Sequence, residues 1–170
     1  EELDPLSLPI QRDIAWHHYF AHRYDLAIDQ LHKTLELNAD YSPALTLLGR
    51  AYEQKPDYER AIATLQRAIE VRDTPLVRSM LGQAYARAGR RAEALRVLAD
   101  VEARARERPV EPYYMAAFFA ALGERERALT ALDQAYEERF YLMAYLRVDP
   151  RLDDLRAEPR FVELLKKMGL

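Results

Sequence analysis

Cysteine is absent from this chain of 170 residues, which excludes disulfide frameworks, thiolate chemistry and cysteine-ligated zinc modules together. The absence assigns no compartment. Glycine is scarce, with five residues, and no Gly-x-Ser-x-Gly, Gly-x-Gly-x-x-Gly or Gly-x-x-x-x-Gly-Lys-Ser/Thr string occurs. The nucleophile elbow, the dinucleotide fingerprint and the phosphate loop each need such a string, so an enzymatic reading has almost nothing to stand on. No apolar run approaches the roughly 18 residues that cross a bilayer, and the opening Glu1-Glu2-Leu3-Asp4 has no basic segment followed by an apolar one. An excess of positive charge is also missing. The net charge of −3 leaves no broad basic footprint, which argues against sequence-independent nucleic-acid binding.

What is present is a period. Tyr24-Asp25-Leu26-Ala27-Ile28, Tyr58-Glu59-Arg60-Ala61-Ile62, Arg91-Ala92-Glu93-Ala94-Leu95 and Arg125-Glu126-Arg127-Ala128-Leu129 are near-copies, and their alanines lie 34, 33 and 34 residues apart. Around each alanine the rest of the phrase recurs. The second unit has Leu48-Gly49, Tyr52, Ala61, Leu65 and Ala68; the third has Leu81-Gly82, Tyr85, Gly89, Ala94 and Leu98. The fourth has Met115-Ala116, Phe119, Gly123, Ala128, Leu132 and Ala135, and the first is degraded to Ile14-Ala15, His18, Ala27 and Leu31. A repeat of about 34 residues with small and aromatic marks predicts stacked helix–turn–helix units, each burying its apolar face only against its neighbours. With 49% hydrophobic and 31% charged residues, the chain has the balance of a folded domain.

The small residues have a mechanical reading. Ala15, Gly49, Gly82 and Ala116 on the first helix of each pair, and the four phased alanines on the second, sit where helices must approach closely. Gly89 and Gly123 are expected to end helices in the left-handed conformation, which costs glycine nothing. Pro43 and Pro75 fit a first helical turn, where the missing N–H has no partner to lose.

These phrases resemble the tetratricopeptide repeat family. The resemblance implies an all-α fold: a right-handed α–α superhelix of about four helix pairs over positions 10–147, preceded at 1–9 by the end of an upstream repeat or a linker and closed at 148–170 by capping helices. It also implies a non-catalytic protein-interaction scaffold without a cofactor, in which the first helices line a concave groove. The inward positions map to Arg12, Trp16, Tyr19, Phe20, Thr46, Arg50, Glu53, Gln54, Ser79, Gln83, Arg87 and Tyr113, with Ala117, Ala120 and Ala121 beyond. Arg12, Arg50 and Arg87 face only Glu53 in this set, so the expected partner is a protein or peptide segment of acidic character. Trp16, Tyr19 and Phe20 serve equally as ligand contacts or as packing against an upstream repeat. Family members that clamp chaperone tails use Lys, Asn and Arg together, and the absence of a matching Asn speaks against that ligand here.

Both ends carry further expectations. Leu3-Asp4-Pro5 resembles the phrase that closes a repeat, which suggests the C-terminal portion of a larger protein. Asp149-Pro150 and Glu158-Pro159 are helix-initiation signals, predicting a short helix over 151–156 and an amphipathic one over 160–168, whose Phe161, Leu164 and Leu165 cover the last repeat. The stretch from Ala135-Tyr136-Glu137-Glu138-Arg139 to Lys167-Met168-Gly169-Leu170 is similar to the terminal segment of bacterial multidomain regulators, where such arrays follow winged-helix, Ser/Thr kinase or cyclase domains. Alternatives to the groove remain open: self-association through a truncated face or the groove, and an RNA-binding helical repeat, which the acidic balance disfavours.

Other candidates read as surface. His18 and His22 are four apart, a spacing that sets two imidazoles on one helical face, but no carboxylate completes a metal set. Asp153-Asp154 and Glu137-Glu138 point in different directions on a helix. The arginine-rich stretch from Arg87 to Arg108 is interrupted by Glu93, Asp100, Glu102 and Glu107, as on a solvated helix face.

Overall fold

The computed structural model describes residues 7–105 and 107–170, and the expectation resting on Leu3-Asp4-Pro5 lies outside them. Four helix pairs follow one another: α1 (Leu8–Phe20) with α2 (Tyr24–Leu37), α3 (Ser42–Gln54) with α4 (Tyr58–Val71), α5 (Pro75–Arg87) with α6 (Arg91–Arg104), and α7 (Pro112–Ala121) with α8 (Arg125–Glu137). Two 3-10 helices, Tyr141–Tyr145 and Pro150–Leu155, lead to α9 (Pro159–Lys167). Successive pairs pack in order, as a tetratricopeptide-type helical solenoid does.

The turn inside each pair is built from one recurring bond. The backbone N–H of Arg23 donates to His18, that of Asp57 to Tyr52, that of Arg90 to Tyr85 and that of Glu124 to Phe119, all at 2.9–3.0 Å. Such a closure favours a left-handed residue just before the donor. Gly89 and Gly123 fill that place with φ 74° and 76°, and His22 fills it with φ 58°. This corrects the reading of His18 and His22 as helix neighbours: α1 ends at Phe20, and His22 belongs to the turn. Its Nδ1 meets the Tyr24 hydroxyl at 3.0 Å, and its Nε2 meets the Val148 carbonyl at 3.1 Å. Among the described residues no group of three or more His, Cys, Asp or Glu could hold a metal ion.

Close approach explains the phased small residues. Ala27, Ala61, Ala94 and Ala128 have no exposed surface. A Cβ placed on Gly49 would stand 2.6 Å from Leu65 Cγ, so α3 meets α4 there without room for a methyl group. Gly82 holds the equivalent register in α5, but the group above it is Phe118 of α7, not a residue of its own pair. The fourth pair therefore docks differently: α7 lies mainly on α5, and the connection from α6 to α7 is longer than those between the earlier pairs. Pro43, Pro75 and Pro112 stand in first helical turns, and Thr74 caps α5 by accepting from the Val77 N–H at 3.2 Å.

After α8 the chain leaves the repeat pattern. The expectation carried the fourth unit to 147, whereas α8 ends at Glu137 and the following 3-10 turns run back over the first helices. Leu142, Met143, Leu146, Leu152 and Leu155 are buried in the same core cluster as Tyr19 and Leu31 of the first pair. At the far end α9 buries Phe161 and Leu164, and Arg160 reaches Asp133 of α8 at 2.6 Å. Among the described residues no helix is long and apolar enough to cross a membrane.

Candidate ligand pocket at the inner face

The first helices, α1, α3, α5 and α7, turn one face toward the C-terminal stretch, and the chain itself covers much of that inner face. Tyr145 stacks on Phe20 with centroids 4.3 Å apart and meets Trp16 edge-on at 6.1 Å. Arg87 holds Asp154 at 2.5 Å and donates to the Arg151 carbonyl at 3.1 Å. Tyr113 donates its hydroxyl to Asp149 at 3.0 Å. Asp149 in turn accepts from three donors of Arg151, the backbone N–H at 3.1 Å, Nε at 3.0 and 3.2 Å and Nη2 at 2.5 Å. The Arg151 guanidinium lies 5.6 Å from the Tyr113 and Tyr114 ring centroids.

This pair has no contact with solvent, Asp149 being 0% and Arg151 1% exposed. Burial alone would push the Asp149 carboxyl up, but the charge and hydrogen bonds of Arg151, helped by Arg50, hold it below its ordinary range. Glu53 lacks such a clamp. Burial raises its pKa, only partly offset by the hydrogen bond from Gln83 at 2.8 Å and by the charges of Arg87, Arg151 and Arg50. Burial likewise raises the Tyr19 and Tyr113 hydroxyls, and it pushes Tyr114 up to about 12.

Where the C-terminal stretch does not reach, a cavity of about 440 Å³ remains open, within the usual range for ligand sites. Arg12, Trp16, Thr46 and Arg50 line it from α1 and α3, Leu76 and Met80 from α5, and Tyr114, Tyr141 and Tyr145 from the C-terminal half. Arg50 is its distinctive group. Only 2% exposed, it lies 5.1 Å from the Trp16 ring centroid and 4.6 Å from that of Tyr19. Its Nε and Nη2 have no hydrogen-bond partner among the described residues, nor has the Tyr19 hydroxyl or Arg151 Nη1.

The sequence-expected groove therefore divides. Arg12, Trp16, Thr46 and Arg50 are brought together around the open cavity. Tyr19, Phe20 and Tyr113 are buried, and Arg87 is engaged by Asp154 and Arg151, where the chain's own C-terminal stretch lies on the face; Gln83 is buried with its amide on Glu53 of α3. Gln54 lies outside the cavity, and Glu53, Ser79, Ala117 and Ala120 are buried. Trp16 and Phe20 pack against Tyr145. Sequence reasoning missed Tyr114, Tyr141, Tyr145, Asp149 and Arg151. The only signal was Tyr141 and Tyr145 standing four apart just past the last repeat; Asp149-Pro150 read solely as a helix start, which it also is, since Asp149 caps the second 3-10 helix.

Residues 12–75 match the tetratricopeptide repeat family model. The matched stretch covers most of α1 and the whole of α2, α3 and α4, and the same turn bond and buried alanine recur in phase through α8. No curated protein matches the chain. Tetratricopeptide repeats as a class mediate protein–protein interaction, and that is the functional expectation the match supports.

Proposed function

We propose that this chain is the non-catalytic interaction module of a larger regulatory protein, and that it holds an acidic segment of a protein partner at the cavity between α1, α3 and Tyr141–Tyr145. The observation that carries the reading is the juxtaposition of Arg50, which has no carboxylate bonded to it among the described residues, with four aromatic rings at an open cavity. Arg12 stands beside it, its charge answered by Asp13 at 3.0 Å. Aromatic and arginine side chains are the groups that most often carry binding energy at interfaces. Because Arg87 and Tyr113 are committed to the chain's own C-terminal stretch and Gln83 to Glu53, the partner engages one end of the inner face and does not run its whole length.

Display of the chain against a library of peptides tests this, with acidic, neutral and basic sets matched in aromatic content. Selection of acidic peptides, reduced by Arg12→Glu and by Arg50→Met with helicity retained, is the expected result. Equal recovery of basic peptides, or capture that neither variant weakens, would move the partner to the outer face or to α9.

A further inference from the structure

We propose that the cavity recognises a single carboxylate carried on a flat apolar group, with Arg50 holding the carboxylate and the rings of Trp16, Tyr114 and Tyr145 enclosing the apolar body. This deepens the interaction reading and rests on the same cavity, but it names the chemistry that the cavity selects.

Arg50 is the group that calls for an anion. A guanidinium withdrawn from water is costly unless its donors and its charge are answered. Two of its nitrogens have no hydrogen-bond partner among the described residues. The buried acids that feel its charge bond elsewhere, Glu53 to Gln83 and Asp149 to Arg151 and Tyr113. The faces of Trp16 and Tyr19 fix the guanidinium and supply part of the missing stabilisation through their ring quadrupoles. Neither ring accepts the in-plane N–H donors. A carboxylate that reaches them would do so, since its two oxygens match the planar donor edge of arginine.

The same residues limit the ligand to one negative charge. Arg12, the other arginine lining the cavity, already faces Asp13 at 3.0 Å, and Asp13 itself lines the cavity. A dianion such as a phosphate monoester would bring its second charge toward that carboxylate. Beside His17 and Thr46, the remaining walls are Pro43, Leu47, Leu76, Met80 and the aromatic rings, which suit an apolar body, and the ring planes favour a flat one. Tyr141, 66% exposed at the mouth, is placed to cover what enters.

Calorimetric titration of the full chain decides it, using indole-3-acetate, indole-3-acetamide, N-acetyltryptophan and phenylphosphonate as probes. Saturable binding of at least one of the two acids is expected, with the acetamide weaker by about 10- to 100-fold, the range for losing a charged hydrogen bond, and phenylphosphonate weaker than the acids. Arg50→Met, of similar length and without the charge, should bring acid and amide within about threefold of each other while circular dichroism stays unchanged. Tyr141→Ala should weaken acid and amide together. Preference for N-acetyltryptophan assigns the carboxylate to the chain end of a partner, and preference for indole-3-acetate assigns it to a free small molecule. Acid and amide binding alike, no saturable binding of either acid, or an Arg50→Met variant that keeps the acid's advantage overturns the proposal. Capture of an acidic partner segment alongside any of those results would leave the interaction reading standing and this one lost.

Discussion

Asp149→Asn removes one charge and almost no volume from the place where the C-terminal stretch is fastened. In the wild type the carboxylate answers the Arg151 guanidinium through contacts of 3.0 and 2.5 Å, and both groups are sealed from solvent at 0% and 1% exposure. Solvent screening is therefore negligible, and the loss of one partner leaves an uncompensated buried cation, an effect of about 3–5 kcal/mol. In a domain of this size each kcal/mol moves the melting temperature by roughly 2–4 °C, so a fall of about 6–20 °C is expected. Urea unfolding followed by circular dichroism and by fluorescence of Trp16, the chain's single tryptophan, measures it at two levels. Trp16 lies against Tyr145, so its signal reports whether the C-terminal stretch is docked. Adding Arg151→Met to Asp149→Asn takes away the orphaned charge while Asn still accepts from the Tyr113 hydroxyl, and should restore all but about 1–2 kcal/mol. A single variant that loses less than about 1 kcal/mol, or a double variant no better than the single, would refute the assignment of this pair as the fastening point.

Other perturbations follow from the same geometry. Glu53 has a raised pKa in the folded state, so its contribution is fully present below the unfolded value near pH 4.3 and is lost as pH rises through the folded one; Glu53→Gln, which keeps an acceptor for Gln83, should be more stable than wild type at pH 7 and equal to it below about pH 4 in thermal melts. Asp149 acts in the opposite sense, its lowered pKa giving stability present above about pH 3.9 and lost as pH falls through the folded value, so Asp149→Asn should flatten the acid limb of the stability profile. Gly82→Ala gains about 0.5–1 kcal/mol of helix propensity but drives a methyl into the Phe118 ring, and overpacking of about 1–3 kcal/mol should win in chemical denaturation. Tyr145→Ala should shift Trp16 emission to the red with little loss of helical signal, because it removes a stacked and an edge-on ring contact without touching a repeat.

The repeat was legible because a solenoid writes its packing locally. Ala61 is fully buried, Gly49 faces Leu65 within the same unit, and the turn at Gly89 is set by a bond five residues long. Each constraint recurs, so four copies speak for one another. The closing segment is legible only in part. Asp149-Pro150 and Glu158-Pro159 announce helix starts, and those starts are where the chain forms the second 3-10 helix and α9. Nothing local tells Tyr145 that it will stack on Phe20, or Arg87 that Asp154 lies beside it, since those contacts join residues far apart in the chain with no repeated partner elsewhere. Reading the first helices as a continuous track placed Arg87, Gln83 and Tyr113 beside Arg50, and they do share a face. The division of that face into a covered part and an open cavity came from a stretch without periodicity. The shift of α7 onto α5 was hidden for a related reason: Gly82 looks like Gly49 in sequence, and only the longer connection before Pro112 hints that its neighbour differs.

The central claim is that the C-terminal stretch lies across the inner face and leaves one open cavity beside Arg50. Nuclear Overhauser contacts in solution between the Tyr145 ring and the rings of Phe20 and Trp16 test it most directly. Strong cross-peaks to Phe20, 4.3 Å away between centroids, and weaker ones to Trp16 at 6.1 Å are the predicted result. Absence of both, with Tyr145 resonances at unfolded-chain positions while the four helix pairs keep their dispersion, would contradict the account and return the whole face to a partner.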